Sequence, residues 1–268
     1  MKDRNLKKLF FFSVLLIFSS ELWSQSTELG SEQSFGTLKQ KELSFGGRLN
    51  TNGWSAFMTY NRSMGFYKSK FYQFELLNYR DAKEKKVNNE SAITISNRFG
   101  NHPKSYIFAK QNSFLSLHFS AGKRILIGDK AEKSGVSVEF TYQYGFSLGL
   151  IKPYYLDLIY TIQSDGITQN IARPERYSPE NHDKFLDRRY IFGSSGFSRG
   201  LDEITPVPGL HSKAGLRFDW APFNELVRAL EVGLAADVYF RKIPIMLNDQ
   251  NKFYFINIYL GVEFGKRW

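Results

Sequence analysis

Apolar and polar side chains alternate along much of the chain after residue 40, and the longest such run lies at the end of the sequence. One face of this run is apolar, interrupted only by Lys266: Tyr254, Ile256, Ile258, Leu260, Val262, Phe264 and Trp268. A period of two residues is the period of a β-strand. Globular strands average about five or six residues, whereas a tilted strand that spans a membrane needs about 9–11. The length of this run therefore predicts a membrane-spanning strand.

Eight further segments share this period: 43–49, 54–60, 71–78, 112–122, 136–144, 154–160, 210–220 and 229–241. Asn50–Gly53 is typical of a tight hairpin turn, and Gly145–Gly149 is expected to turn the chain into the segment 154–160. Nine strands is an odd number, whereas a bacterial barrel of one chain normally has an even number. A tenth strand within 92–110 would give ten strands, which we prefer slightly. The alternative is eight, with one of the early weak segments outside the wall.

The second faces of the later strands carry small residues between charges of both signs. The charged positions, which we call the predicted lumen network, are Lys213, Arg217, Asp219, Glu231, Asp237, Arg241, Glu263 and Arg267. A soluble β-sandwich could leave such a face free in water, with many Lys and Glu side chains. A narrow lumen instead needs small side chains for room and opposite charges that offset each other's burial. We therefore predict an all-β fold, an antiparallel transmembrane β-barrel with a narrow, filled lumen, over residues 41–268.

The first 24 residues have the layout of a secretory signal peptide. The basic start consists of Lys2, Arg4, Lys7 and Lys8. An apolar run over residues 9–18 follows, and the small residue Ser24 precedes the expected cleavage site. Ten apolar residues are too few for a helical anchor, which needs about 20. Residues 25–40 are then expected to form an N-terminal periplasmic segment.

The net charge of the chain is +10, and removal of the signal peptide, with four basic and two acidic residues, leaves +8. Export makes nucleic acid an unsuitable partner. Outer-membrane lipid headgroups and lipopolysaccharide phosphates are the expected partners of this charge. The chain has no cysteine, which excludes a disulfide framework and a thiolate metal site.

Two long connections interrupt the strand pattern, at 79–111 and 163–208. With a periplasmic C-terminus, counting back two hairpins places 163–208 outside the cell. A loop of that length is expected to act as a plug, a cap or a partner surface. The side of the membrane for 79–111 depends on the strand count. Its many charges are read as a solvated loop, with contact to lipid phosphates or an acidic partner as the alternative.

Serine and histidine are the candidate catalytic residues. The four histidines, His102, His118, His182 and His211, show no metal-ligand spacing. Ser116, His118 and Ser120 are the testable cluster for a lipid-modifying enzyme, but the alternation places them in the lumen, away from acyl chains. Such a cluster also needs a third, orienting group, which the sequence does not place. We therefore predict no catalytic residue, no metal and no cofactor, with His118 as a hydrogen-bonded lumen side chain.

Several stretches resemble known outer-membrane proteins. The last strand, up to Trp268, resembles the C-terminal signal that the barrel assembly machinery recognises. The sequence 22–25 resembles signal-peptide ends of Bacteroidota envelope proteins. Tyr106–Phe114 and Ser147–Leu156 are similar to small Bacteroidota outer-membrane barrels of the OmpA/OmpX-like kind. This resemblance implies an outer-membrane barrel, and an accessory subunit of outer-membrane protein assembly or of type IX secretion is one possibility it raises.

Three functions follow as hypotheses. The first is a non-enzymatic structural or accessory subunit of an envelope protein complex, in the cell outer membrane and in contact with other envelope proteins. The second is a narrow channel for ions or small solutes. The third is a lipid-modifying enzyme built on Ser116, His118 and Ser120.

Overall fold

The computed structural model of the protein describes residues 41–89, 103–130, 135–164, 167–221, 225–247 and 251–268. The predicted signal peptide and the segment 25–40 lie outside these described residues. So do His102 and residues 92–102 of the region proposed for a tenth strand. None of the helices in the described part of the chain is long and apolar enough to cross a membrane.

The described residues form thirteen strands and two short helical segments. The first six strands are β1 (Lys41–Asn50), β2 (Gly53–Ser63), β3 (Lys68–Tyr79), β4 (Lys86–Val87), β5 (Tyr106–Ile107) and β6 (Asn112–Gly128). The next four are β7 (Ser137–Pro153), β8 (Tyr155–Ser164), β9 (Ile167–Arg176) and β10 (Ile191–Ser194). The last three are β11 (Thr205–Asp219), β12 (Leu226–Ile243) and β13 (Lys252–Arg267). A 3-10 turn (Pro179–Asn181) and the helix α1 (His182–Phe185) lie between β9 and β10.

Eight of these strands close into one barrel in the order β1-β13-β12-β11-β7-β6-β3-β2, and neighbours are antiparallel. The predicted all-β antiparallel barrel is therefore confirmed. The slight preference for ten strands is wrong, and the alternative of eight is correct. The early weak segments all lie in the wall. The strand outside the wall is the one predicted at 154–160, because β8 pairs with β9 and β10 in a separate sheet.

The strand register determines which side chains face the lumen. In β13, Ile256, Ile258 and Leu260 are exposed on the outside, whereas Asn257 and Tyr259 between them are buried. Other wall strands present apolar side chains outward in the same way: Leu49, Met58, Phe74, Phe119, Phe146, Leu210, Leu216 and Leu234. The outside of the barrel is therefore apolar, and its inside is mixed.

The glycines of β7 lie inside a continuous strand, so the turn predicted at Gly145–Gly149 is wrong. A Cβ atom at Gly149 would lie 2.6 Å from the ring of Phe114 and 3.0 Å from the ring of Tyr239. This glycine thus makes room in the lumen for two aromatic side chains. Gly53, in contrast, does follow a two-residue turn at its predicted place, with a φ of +144° that favours glycine.

The two ends of the barrel differ in their connections. At the end that holds Trp268, which we call the C-terminal end, the wall strands are joined by 64–67, 129–136 and 220–225. At the opposite end, the loop end, they are joined by 51–52, 80–111, 154–204 and 244–251. Both long connections therefore leave the barrel at the same end, a relation that the sequence left open.

The connection 154–204, which we call the cap, has its own secondary structure and supplies most of a hydrophobic core that is separate from the cluster in the barrel. Its sheet has the order β10-β8-β9. Leu156, Leu158, Phe185 and Ile191 are fully buried in its core, together with Tyr106 of β5. The predicted connection 163–208 differs at both ends, because β8 belongs to the cap and the last four residues belong to β11.

Candidate functional site

The lumen near the C-terminal end holds a network of buried ion pairs around Arg217. This side chain is fully buried, and its Nε lies 2.7 Å from Oε2 of Glu263. Its Nη1 lies 2.7 Å from Oε2 of Glu139 on the neighbouring strand. Arg124 adds a second guanidinium, 2.6 Å from Glu42 and 3.0 Å from Glu263. Since each charge has an opposite partner, the cost of burying it is offset.

The ion pairs continue to the rim of the C-terminal end. Arg267 donates to Glu42 over 2.7 Å and to Asp219 over 2.5 Å. Lys130 reaches the same Asp219 from the connection after β6, over 3.2 Å. The first and last strands of the wall are thus joined by side chains as well as by their ladder.

A second cluster lies in the middle of the lumen around Arg48. Its Nη2 lies 2.6 Å from Glu231, and its Nη1 lies 3.3 Å from Glu75. Lys213 forms a further ion pair with Glu75. The guanidinium of Arg48 also lies 3.6 Å from the centre of the Phe57 ring, a cation–π contact.

The histidine layer, formed by His118, His211 and Asp237, comes next toward the loop end. The two imidazole rings are stacked, with 4.1 Å between their centres. Oδ1 of Asp237 lies 2.7 Å from Nδ1 of His211 and 3.3 Å from Nε2 of His118. The hydroxyl of Tyr79 donates to the other oxygen of Asp237 over 2.5 Å.

An aromatic plug occupies the lumen at the loop end. Its rings are those of Tyr79, Phe114, Tyr239 and Phe255. The Tyr79 and Phe114 rings are stacked at 5.2 Å, and the Tyr239 ring meets Phe114 edge-on at 5.0 Å. Side chains therefore fill the lumen from the ion pairs of Arg267 to this plug.

Seven of the eight charges in the predicted lumen network line the lumen, and Arg241 does not. Arg241 is exposed, and it lies where the ladder between β12 and β13 shifts register, between Val238 and Ile243. Sequence reasoning missed the partners that the earlier strands supply: Glu42, Arg48, Glu75, Arg124 and Glu139. The same alternation could have found Arg48, Glu75 and Glu139, which lie on the polar faces of predicted strands. Glu42 and Arg124 lie one and two residues beyond the predicted segments 43–49 and 112–122, in β1 and β6 as the structure has them.

Ser116, His118 and Ser120 lie on the lumen face of β6, as the alternation indicated. Asp237 is the acidic neighbour of His118 that the sequence could not place. The hydroxyl of Ser116 accepts a hydrogen bond from Tyr239 over 2.7 Å, and not from the histidine. Among the described residues, no hydrogen bond joins either serine to His118. The geometry therefore does not form a nucleophile–base pair.

The cap has polar contacts of its own and a groove of about 800 Å³. The groove is lined in part by Lys104, Asp157, Phe192 and Arg199. Elsewhere in the cap, burial and a hydrogen bond to the Glu175 carboxylate raise the pKa of Tyr160 to about 12. This phenol therefore stays neutral at physiological pH.

The tyrosine and its neighbours hold the sheet of the cap to its helix. The ammonium group of Lys184, in α1, lies 4.0 Å from the centre of the Tyr160 ring in β8. Glu203 accepts hydrogen bonds from Tyr155 over 2.7 Å and from Arg176 over 2.5 Å. These contacts connect β8, β9, α1 and the last segment of the cap.

Solved structures that are similar to this chain are small bacterial barrels. Ail, the attachment invasion locus protein of Yersinia pestis, is 9% identical, with 86% of this chain and 100% of that chain covered and a TM-score of 0.39. Neisserial surface protein A is 7% identical, with 86% and 98% covered and a TM-score of 0.39. The N-terminal β-barrel domain of Pseudomonas aeruginosa OprF is 9% identical, with 86% and 98% covered and a TM-score of 0.36. No protein-family model and no curated protein matches the chain.

Proposed function

We propose that this chain is an outer-membrane β-barrel that serves as a non-enzymatic structural or accessory subunit of an envelope protein complex. In this proposal the wall anchors the protein in the bilayer, and the cap offers the partner surface. The observation that carries the proposal is the combination of a lumen filled with paired charges and a cap with its own core.

The outer surface of the wall supports the membrane location. Exposed apolar side chains occupy every wall strand, and Phe146, Leu49 and Ile256 are 72%, 71% and 63% exposed. A soluble monomer rarely exposes contiguous apolar patches of more than a few hundred Å². A closed barrel in a bilayer also leaves no strand edge unpaired. Exposed Trp54, Trp220 and Trp268 sit at strand ends, where aromatic girdles meet the membrane interface.

The length of the connections supports an orientation. Small bacterial barrels have short periplasmic turns and longer external loops. The C-terminal end would therefore face the periplasm, and the loop end, with the cap and the connection 80–111, would face outward. A folded connection of this length is commonly a functional surface.

The register of the wall provides a direct test of the cap. Because β7 and β11 are adjacent and antiparallel, with Ile151 opposite Thr205, residues 154–204 can be replaced by a short turn without removing a wall strand. We expect the whole protein, extracted from its native membrane in mild detergent, to co-purify with stoichiometric partners. The capless variant should remain a folded, heat-modifiable barrel that loses them.

A matched pair of point variants tests the groove within an intact cap. Arg199→Glu changes an exposed arginine that lines the groove, and Arg189→Glu changes an exposed arginine elsewhere in the cap. We expect partner recovery to fall several-fold for Arg199→Glu and to stay unchanged for Arg189→Glu. A wild-type protein that purifies from native membranes as a clean monomer would contradict the proposed function.

A further inference from the structure

Four chemically capable side chains converge at one level of the lumen. Glu75 on β3 lies opposite His118 on β6 in the ladder, and His211 on β11 lies opposite Asp237 on β12. Two cross-strand pairs therefore meet from different parts of the wall. One ligand atom from each of Glu75, His118 and His211 lies within 4.8 Å of the other two, a spacing that a single metal ion could bridge.

These groups are buried, so water cannot replace the hydrogen bonds that they lack. His118 and Glu75 are 0% and 1% exposed, and His211 is 3% exposed. Among the described residues, both ring nitrogens of His118, Nε2 of His211 and Oε1 of Glu75 have no hydrogen-bond partner. A buried polar atom without a partner destabilises the folded state. Nε2 of His118 faces the Asp237 carboxylate at 3.3 Å. The other three atoms, Nδ1 of His118, Nε2 of His211 and Oε1 of Glu75, are therefore available to a ligand.

We propose that Glu75, His118 and His211 bind a divalent transition-metal ion inside the barrel, with Zn²⁺ as the best fit. Two imidazole nitrogens and one carboxylate oxygen are a donor set that zinc takes, with a fourth position left for another oxygen. The absence of metal-ligand spacing in the sequence does not argue against this site, because the strand register brings the ligands together.

Asp237 is the orienting carboxylate of this site. A metal-binding histidine commonly donates a hydrogen bond from its second ring nitrogen to a carboxylate, which fixes the orientation and the tautomer of the ring. Asp237 is placed for this role, since its Oδ1 lies 2.7 Å from Nδ1 of His211 and 3.3 Å from Nε2 of His118. Nε2 of His211 and Nδ1 of His118 are then left for the ion.

Two cations compete with the ion for Glu75. Lys213 forms an ion pair with its Oε2, and Arg48 lies 3.3 Å from the same oxygen. Oε1 is the oxygen left for the metal. The positive charge of Lys213 should weaken metal binding by repulsion. Removal of this charge should therefore strengthen metal binding, whereas removal of a ligand should weaken it.

Zinc retention by the full chain tests the site. The protein is purified in detergent, folded with ZnCl₂, desalted, and its metal content is measured by atomic spectroscopy. We expect about one Zn²⁺ per wild-type chain, because the ligands are enclosed once the barrel has closed. The variant His118→Gln/His211→Gln should retain none, and Asp237→Asn should lower the affinity by about 10–100-fold.

The matched control is His182→Gln, which removes an exposed histidine of the cap and should leave zinc retention unchanged. Lys213→Met should keep its ion and release it to a chelator more slowly than wild type. Equal zinc content in wild type and in the double histidine variant would overturn the proposal. If the double variant does not fold, Lys213→Met decides alone, and unchanged or faster release from it overturns the site.

Discussion

Arg217 shows what a single residue contributes to this lumen. It has no exposed surface, and its guanidinium bridges Glu263 and Glu139 on two other strands. Replacing a buried ion pair as a unit can be neutral, but removing one partner leaves the other charge buried and uncompensated. The stability of the barrel should therefore depend on the pairing of Arg217 with these carboxylates more than on the net charge of the lumen.

We expect Arg217→Met to lower the free energy of unfolding by roughly 3–5 kcal/mol, because Glu263 loses a partner in the lumen. Denaturant unfolding of the barrel in detergent or lipid measures this. Arg241→Met is the control: Arg241 is exposed, and its loss should change stability by no more than about 0.5 kcal/mol. Similar losses in the two variants would show that the Arg217 pairs are not needed for stability.

The same two arginines show how far sequence reasoning reaches at the scale of residues. Alternation places Arg217 correctly because β11 runs regularly past it. It fails at Arg241, because the extra residues that β12 contains between Val238 and Ile243 are not visible in a hydrophobic pattern. The meeting of His118 with His211 is also hidden, because it requires strand order and register, and the two lie on strands that are not neighbours.

At the scale of elements, apolar and polar residues alternate in the wall strands and in β8 of the cap alike, but different surroundings cover their apolar faces. β8 alternates as the wall strands do, with Leu156 and Leu158 buried, but its apolar face packs in the core of the cap. Period-two alternation identifies a strand with one apolar face and does not say whether lipid or protein covers it. Length does not separate the two kinds of strand either, because β8 and the wall strand β1 have 10 residues each.

Because its core is separate, the cap should unfold without opening the barrel. We expect Leu158→Asp to bury a charge in the cap core and to make residues 154–204 sensitive to protease, while the wall stays heat-modifiable. Ile162→Asp, on the same strand at a 37% exposed position, is the control and should leave the cap resistant. If Leu158→Asp dissociates the whole barrel instead, the cap and the wall are one cooperative unit.

At the scale of the whole molecule, the side chains in the lumen determine whether ions can pass through the barrel. Small eight-stranded barrels have interiors that side chains can fill. Here ion pairs occupy the middle and the C-terminal end, and the aromatic plug occupies the loop end. The sequence predicted a filled lumen from its small residues and paired charges, but it could not predict the plug, whose rings come from four different strands.

We expect the purified protein to give no steady single-channel steps in planar lipid bilayers, because an ion would have to pass both barriers. Current recordings at increasing voltage check this. A porin with an open aqueous channel, recorded in the same way, would serve as a positive control for insertion. Regular steps from the wild-type protein would favour the channel hypothesis over the structural one.

The barrel closes during folding only when β13 pairs with β1. Ser44 and Glu263 lie on these two strands and are 219 positions apart in sequence, yet their side chains are in contact. Such a distant pairing is slow to form, because the chain entropy of a long loop must be lost first. Until the eighth wall strand arrives, β1 presents an open edge to its surroundings. The other end of the unclosed sheet, at the last strand formed, is open as well. The barrel is therefore most prone to aggregation before β13 pairs with β1, and protection of these two edges would determine the yield of folded barrels.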